Sequence, residues 1–240
     1  NSFKNLAFNF ETINQFRQAL AYYDSTILYG KQFAGQENFI IKSRYRKVLI
    51  FFRNGDYQKM IDESTIGITE ARGTEMDYML PAFYNQRAQA YYFQSQLQQA
   101  TTDLDSALAN PTLQDDAFEL ANTLLIKALV AAKRGNNPEA IGLFNKAVTE
   151  RIADGTAWQI ADDYTDFGNF YLNQVHDAVK AKQCYLKTIE YALKEADKER
   201  LAKAHLNLGY ADFTLSDLAG AEQFYMKAFQ DLDVLQGSDL

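Results

Sequence analysis

Residues 207–228 read Asn-Leu-Gly-Tyr-Ala-Asp-Phe-Thr-Leu-Ser-Asp-Leu-Ala-Gly-Ala-Glu-Gln-Phe-Tyr-Met-Lys-Ala. Apolar residues recur at three- and four-residue spacing on both sides of a break at Ser216-Asp217-Leu218. That spacing predicts two helices joined by a tight turn. Ser216 or Asp217 is placed to cap the second helix through its side-chain oxygen. Gly209 and Ala221 are small enough to let the two backbones come close.

The pattern recurs up the chain. Ala221 is preceded by Ala181, Ala140, Ala100, Met60 and Ala19, at separations of 40, 41, 40, 40 and 41 residues. A fixed period is the signature of one supersecondary unit stacked many times, and stacking builds a binding surface rather than a catalytic pocket. Six units are predicted, at approximately 1–36, 37–76, 77–116, 117–156, 157–197 and 198–240. The fifth carries Tyr164, Phe167, Gly168, Tyr171, Ala181, Tyr185 and Thr188, and its turn at Val175-His176-Asp177 is one residue longer than that of the sixth. The fourth opens its second helix with Asn137-Pro138-Glu139, read as an N-cap, a proline at the first helical position and an acid in the first turn. The second departs most: Val48, Met60, Ser64 and Gly67 stand where small or aromatic residues are expected, which puts its packing in question. The first helix of unit one, with Leu6, Ala7 and Phe10, is expected to be incomplete.

These residues resemble the tetratricopeptide repeat family in a long-unit form. The family pattern is Trp/Tyr-x-x-Leu-Gly-x-x-Tyr in the first helix and Ala-x-x-x-Phe/Tyr-x-x-Ala in the second, in a common unit of 34 residues. The resemblance covers nearly the whole chain and implies an all-α, right-handed α-solenoid of antiparallel helix pairs. It also implies a non-catalytic scaffold that binds a peptide or protein segment in a concave groove. A sensory or regulatory domain of a larger bacterial signalling protein is the alternative.

Composition narrows the function classes. The net charge of −7 argues against direct nucleic-acid binding, which concentrates Lys and Arg on one face. The longest apolar run, Val48-Leu49-Ile50-Phe51-Phe52, is far short of a membrane span, so no insertion is expected. One cysteine, Cys184, permits no intrachain disulfide and favours a cytoplasmic setting, with a bacterial periplasmic domain left open. The chain opens on Asn1 without a Met, which reads as a trimmed or processed chain.

No catalytic motif is present: no Gly-rich phosphate loop, no His-Glu-x-x-His and no Cys-x-x-Cys. No enzyme activity, catalytic residue, metal or cofactor is therefore expected. His205 falls at an aromatic core position, His176 in a solvated turn, and Cys184 on a buried helix face where a thiol acts as a small hydrophobe. Asp162, Asp163 and Asp166 read as acids complementing a helix N-terminus. Asp231-Leu232-Asp233 lacks the remaining ligands of a calcium loop. The basic stretch Arg44-Tyr45-Arg46-Lys47 reads first as a solvated helix surface and second as a site for an acidic segment.

In the family, positions two, five, nine, twelve and thirteen of each unit line the groove. Carried onto this chain, they nominate Lys42, Tyr45 and Arg53 in unit two, then Asn85, Gln89, Tyr92 and Phe93 in unit three. Unit four adds Asn122 and Lys133, unit five Asn169 and Asn173, and unit six Lys203 and Tyr210. The set holds one acid, Asp162, so the predicted groove is basic in an acidic chain and points to a neutral or acidic partner. Its amides can pair with an extended backbone, and its aromatics can anchor apolar side chains. The chaperone-tail clamp of some relatives is not expected: Thr165 precedes Asn169 at position five, and unit one pairs Lys4 with Phe8 at position nine. Self-association through the C-terminal helix, on its Phe224, Tyr225, Phe229 and Leu232 face, is a further expectation.

Overall fold

The computed structural model describes residues 2–237, with side chains described for residues 3–232. Twelve α-helices and no strand form among the described residues. They are paired as hairpins: α1 (Ser2–Thr12) with α2 (Phe16–Gly30), α3 (Glu37–Arg53) with α4 (Tyr57–Ala71), and α5 (Leu80–Phe93) with α6 (Leu97–Leu108). Then follow α7 (Ala117–Lys133) with α8 (Asn137–Asp154), α9 (Ala157–Phe170) with α10 (Ala178–Lys194), and α11 (Lys198–Thr214) with α12 (Leu218–Gly237).

Each hairpin turns on a residue with positive φ: Asn14, Gly55, Ser95, Gly135, His176 and Ser216. Their separations are 41, 40, 40, 41 and 40, so the backbone repeats the sequence period. A left-handed residue reverses the chain within one step, which glycine does most easily. The next residue is the N-cap of the second helix. The carboxylates of Asp177 and Asp217 accept from the backbone N–H of Lys180 and Gly220, both at 3.0 Å. Of Ser216 and Asp217, then, Ser216 makes the turn and Asp217 the cap. In the fourth hairpin the cap is Asn136, one residue before the expected Asn137, because Gly135 already supplies the reversal.

The small-residue column is the hinge of the packing. Ala19, Met60, Ala100, Ala140 and Ala181 are fully buried, and Ala221 nearly so. The unusual second unit still buries its divergent residues. Met60 and Val48 have no exposed surface, and the Phe83 ring fills the space over Gly67. The residue added in the fifth unit does not lengthen the turn. It is absorbed as a π-helical segment, Tyr171–Val175, that continues α9 into the left-handed His176.

By compactness the chain forms two units, Asn1–Glu119 and Leu120–Leu240. Within the first, α1 to α5 each pack on the next helix in sequence, and α1 and α5 both also touch α3. Within the second, α9 to α12 do the same in order, with α8 against α9.

Charged side chains inside each unit correct two sequence expectations. Arg44 and Lys47 are neither solvated nor free for an acidic partner. Arg44 pairs with Glu63 and Glu70, and Lys47 with Asp24 at 2.7 Å and Glu63 at 2.8 Å. Arg46 grips Glu11 through two nitrogens, at 2.9 and 2.6 Å. Asp162 and Asp163 do not serve the N-terminus of α9, whose first turn holds no acid. Instead Asp163 takes Arg151 Nε at 2.9 Å, and Asp162 takes Arg200 through both oxygens. Such pairs hold their helices in register, because removing one partner strands the other charge in a poorly solvated place.

Candidate functional site

In unit Asn1–Glu119 the site grows out of α3. The charges at Arg44 and Lys47 turn toward α2 and α4, where their acids lie. On another face of α3, Lys42 and Tyr45 are three residues apart, the spacing that puts two side chains side by side on a helix. With Ser43 and Arg46 they wall a pocket of about 530 Å³, closed by Lys4, Asn5 and Phe8 of α1, Tyr23 of α2, and Met79. This volume lies within the range of small-molecule sites, about 300–1,000 Å³.

Tyr23 is buried, and its hydroxyl donates to Glu11 at 2.8 Å. Burial and the Glu11 charge push the phenol up to about 12. The Tyr45 ring meets Phe83 edge-on at 5.5 Å, and burial again raises its phenol. The Arg46 guanidinium lies 5.2 Å from the centre of the Phe8 ring while holding Glu11. Lys4 sits 5.5 Å above Phe39.

The structure disperses the remaining nominated residues. Arg53 is exposed, 3.7 Å from Glu11 and 5.9 Å from the Phe16 ring. Phe93 is exposed and belongs to an aromatic group: it stacks on Tyr57 at 4.7 Å, with Phe52 at 6.0 Å and Tyr92 at 5.4 Å. Gln89 is half-buried beside them on α5. Asn85 has no exposed surface, and its amide donates to Glu119 Oε1 at 2.6 Å. It joins α5 to the start of α7 rather than facing a ligand.

In unit Leu120–Leu240, two amides are likewise engaged. Asn122 accepts from Arg151 at 2.6 Å, and Asn169 accepts from the Tyr185 hydroxyl at 2.9 Å. Lys133 is exposed in the last turn of α7, and Asn173 is exposed in the π-helical segment. On α11, Leu206, Tyr210 and Phe213 follow one another at four- and three-residue spacing, 43%, 53% and 57% exposed. Lys203 heads this stripe and pairs with Glu199 at 2.6 Å. A larger hollow of about 720 Å³ lies over Tyr164, Phe167, Tyr171 and Cys184. Its cations already have partners: Lys187 meets Glu190 at 2.7 Å, and Lys180 meets Asp177 at 3.5 Å. Cys184 is buried there, and desolvation pushes its thiol up to about 12. His205 packs on Phe224 at 6.1 Å and its Nδ1 meets Asp231 at 2.8 Å. The α12 face expected to self-associate exposes Tyr225, Phe229 and Leu232, with Phe224 half-buried. Its side chains from residue 233 onward lie outside the described residues.

Among the described residues, no group of three His, Cys, Asp or Glu could hold a metal ion, and no helix is long and apolar enough to cross a membrane. The pocket in the first unit includes residues the groove positions did not nominate: Ser43, Arg46 and Met79. Lys4 and Phe8 do occupy positions five and nine of unit one, so the sequence carried that signal.

No protein-family model matches the sequence, and no curated protein matches it. Solved structures do resemble it. BtubC (BKLC) from P. vanneervenii superposes with a TM-score of 0.76 at 15% identity, covering 91% of each chain. The Rap conjugation gene regulator of plasmid pLS20, in complex with the Phr* peptide, gives 0.66 at 14% identity over 98% of this chain and 62% of that one. A signal transduction ATPase with numerous domains from Pyrococcus horikoshii, which has a tetratricopeptide repeat sensor, gives 0.73 at 14% identity over 98% of this chain and 35% of that one. The fold is a tetratricopeptide-like α-solenoid of antiparallel helix pairs. The nominated positions lie on α3, α5, α7, α9 and α11, the first helix of each pair, with Asn173 on the π-helical segment that continues α9.

Proposed function

We propose that the protein is a non-catalytic scaffold that binds a protein or peptide segment against the exposed faces of its first helices. The α11 stripe of Leu206, Tyr210 and Phe213 carries this reading. Three large apolar side chains stand in water on one helix face, at spacing that would bury them if α11 had a partner there. Contiguous exposed apolar surface rimmed by polar residues marks interaction sites. The Rap regulator, solved with a bound peptide, supports a peptide as the class of partner. The cations Lys4 and Lys42 at the first unit's pocket support a neutral or acidic one.

The test is a peptide array probed with the wild type and with Tyr210→Ser/Phe213→Ser. Truncating two central aromatic anchors should weaken binding at least about tenfold. Full retention by a variant with native circular dichroism would sink the model. A second reading, a sensor domain within a longer signalling chain, draws support from the Pyrococcus protein, of which the matched part is 35%. The full reading frame decides it: an output domain in frame supports it, and none ends it.

A further inference from the structure

Of the first unit's pocket the scaffold reading uses only the charge of its two lysines, whereas three properties taken together point to a smaller ligand. The pocket's wall is mostly apolar, built by Phe8, Tyr23, Tyr45 and Met79. Two lysines line it, Lys4 and Lys42, and neither has an acid partner among the described residues. The third cation, Arg46, is already matched by Glu11, which lies behind it with Tyr23. Other acids near Tyr45, Glu119 and Asp116, act on its hydroxyl and do not line the pocket. The pocket therefore keeps a local excess of positive charge in an acidic protein. The third property is a polar atom out of place: Ser43 is 1% exposed, lines the pocket, and its Oγ has no hydrogen-bond partner. A buried hydroxyl left unpaired is unfavourable, so a rotation about its Cα–Cβ bond that turns it to a ligand atom in the pocket is favoured.

We propose that this pocket binds a small organic carboxylate with a flat apolar body, of the class of aromatic carboxylic acids. The ring lies among Phe8, Tyr45 and Met79. The carboxylate is held by Lys4 and Lys42, and the Ser43 hydroxyl, once rotated toward the pocket, donates to one of its oxygens. The apolar walls explain why a bare anion would not suffice, and the two lysines why a neutral arene would not. The ligand touches α1, α2 and α3 together, so its binding should tighten α1 onto the rest of the unit.

The probe is 2-naphthoate, measured by calorimetry at low salt against 2-naphthalenemethanol and acetate. Naphthoate should bind saturably, and at least about tenfold more tightly than either the alcohol, which lacks the charge-assisted hydrogen bonds, or acetate, which lacks the ring to bury. Lys42→Met should weaken naphthoate about tenfold, and Ser43→Ala by several-fold, with both variants folded by circular dichroism. Hydrogen exchange should slow at α1 amides when naphthoate is added. Tyr210→Ser/Phe213→Ser, which tests the scaffold, should leave naphthoate binding unchanged, so the two proposals fail separately. Absence of saturable binding, equal binding of the alcohol, or indifference to Lys42→Met each overturns the assignment.

Discussion

Single glycines show how tightly each hairpin is closed. A Cβ on Gly168 would lie 2.5 Å from the Tyr185 ring, and one on Gly209 would lie 2.6 Å from the Tyr225 ring. The clash is nearly the same, but the freedom to relieve it is not. Tyr185 has no exposed surface, whereas Tyr225 is 38% exposed and can swing outward. Overpacking costs about 1–3 kcal/mol where nothing can move, against about 1 kcal/mol of helix propensity gained from Gly to Ala. Gly168→Ala should therefore lower the melting temperature, Gly209→Ala should change it little, and Gly142→Ala, with nothing within 4 Å, should raise it. Thermal denaturation of the three checks the order, and a Gly168→Ala protein as stable as the wild type would refute it. Small residues at this spacing were the most legible part of the sequence, because few side chains fit between two helix backbones. The charges were the least legible. Arg44 finds its acids 19 and 26 residues away on another helix, and no local pattern announces that.

Among the elements, the turns carry the strain. Besides the six hairpin turns, Ala196 between α10 and α11 has a φ of 52°, where its Cβ crowds the backbone. The corresponding links use Gly35 after α2 and Gly73 after α4. Ala196→Gly should stabilise the protein by about 1 kcal/mol, since glycine enters this region without penalty, less the entropy it adds to the unfolded chain. A urea titration measures it, and an unchanged or lower midpoint would refute the strain. Helix existence and pairing were legible here because apolar spacing recurs at every hairpin, and turn chemistry reinforces it at Gly135-Asn136, His176-Asp177 and Ser216-Asp217. The site was legible in part. Position numbers nominated Lys42 and Tyr45, which line the first unit's pocket, and Tyr210, which is exposed, whereas Asn85, Asn122 and Asn169 are engaged within their units, since an amide serves a neighbouring side chain as well as a ligand.

At the scale of the whole molecule, buried ionisable groups tie stability to pH. Desolvation pushes Asp163 up to about 6, against the pull of Arg151. An unfolded Asp ionises near 4, so between those values the folded state binds the extra proton. The stability this contributes is complete below about pH 4 and is lost as pH rises to about 6, by at most about 3 kcal/mol. Asp163→Asn should flatten that part of the profile, and urea midpoints between pH 4 and 6 provide the check. An equal slope in both proteins would exclude Asp163 as its source. The π-helical segment before His176 has a different consequence. One added residue was taken up inside a helix end, leaving the turn, its cap and the next buried alanine in place. The architecture thus accommodates an added residue at that junction. Units of 40 and 41 residues coexist in one array, and an alignment of its units that forbids gaps inside helices would misplace every residue beyond such a point.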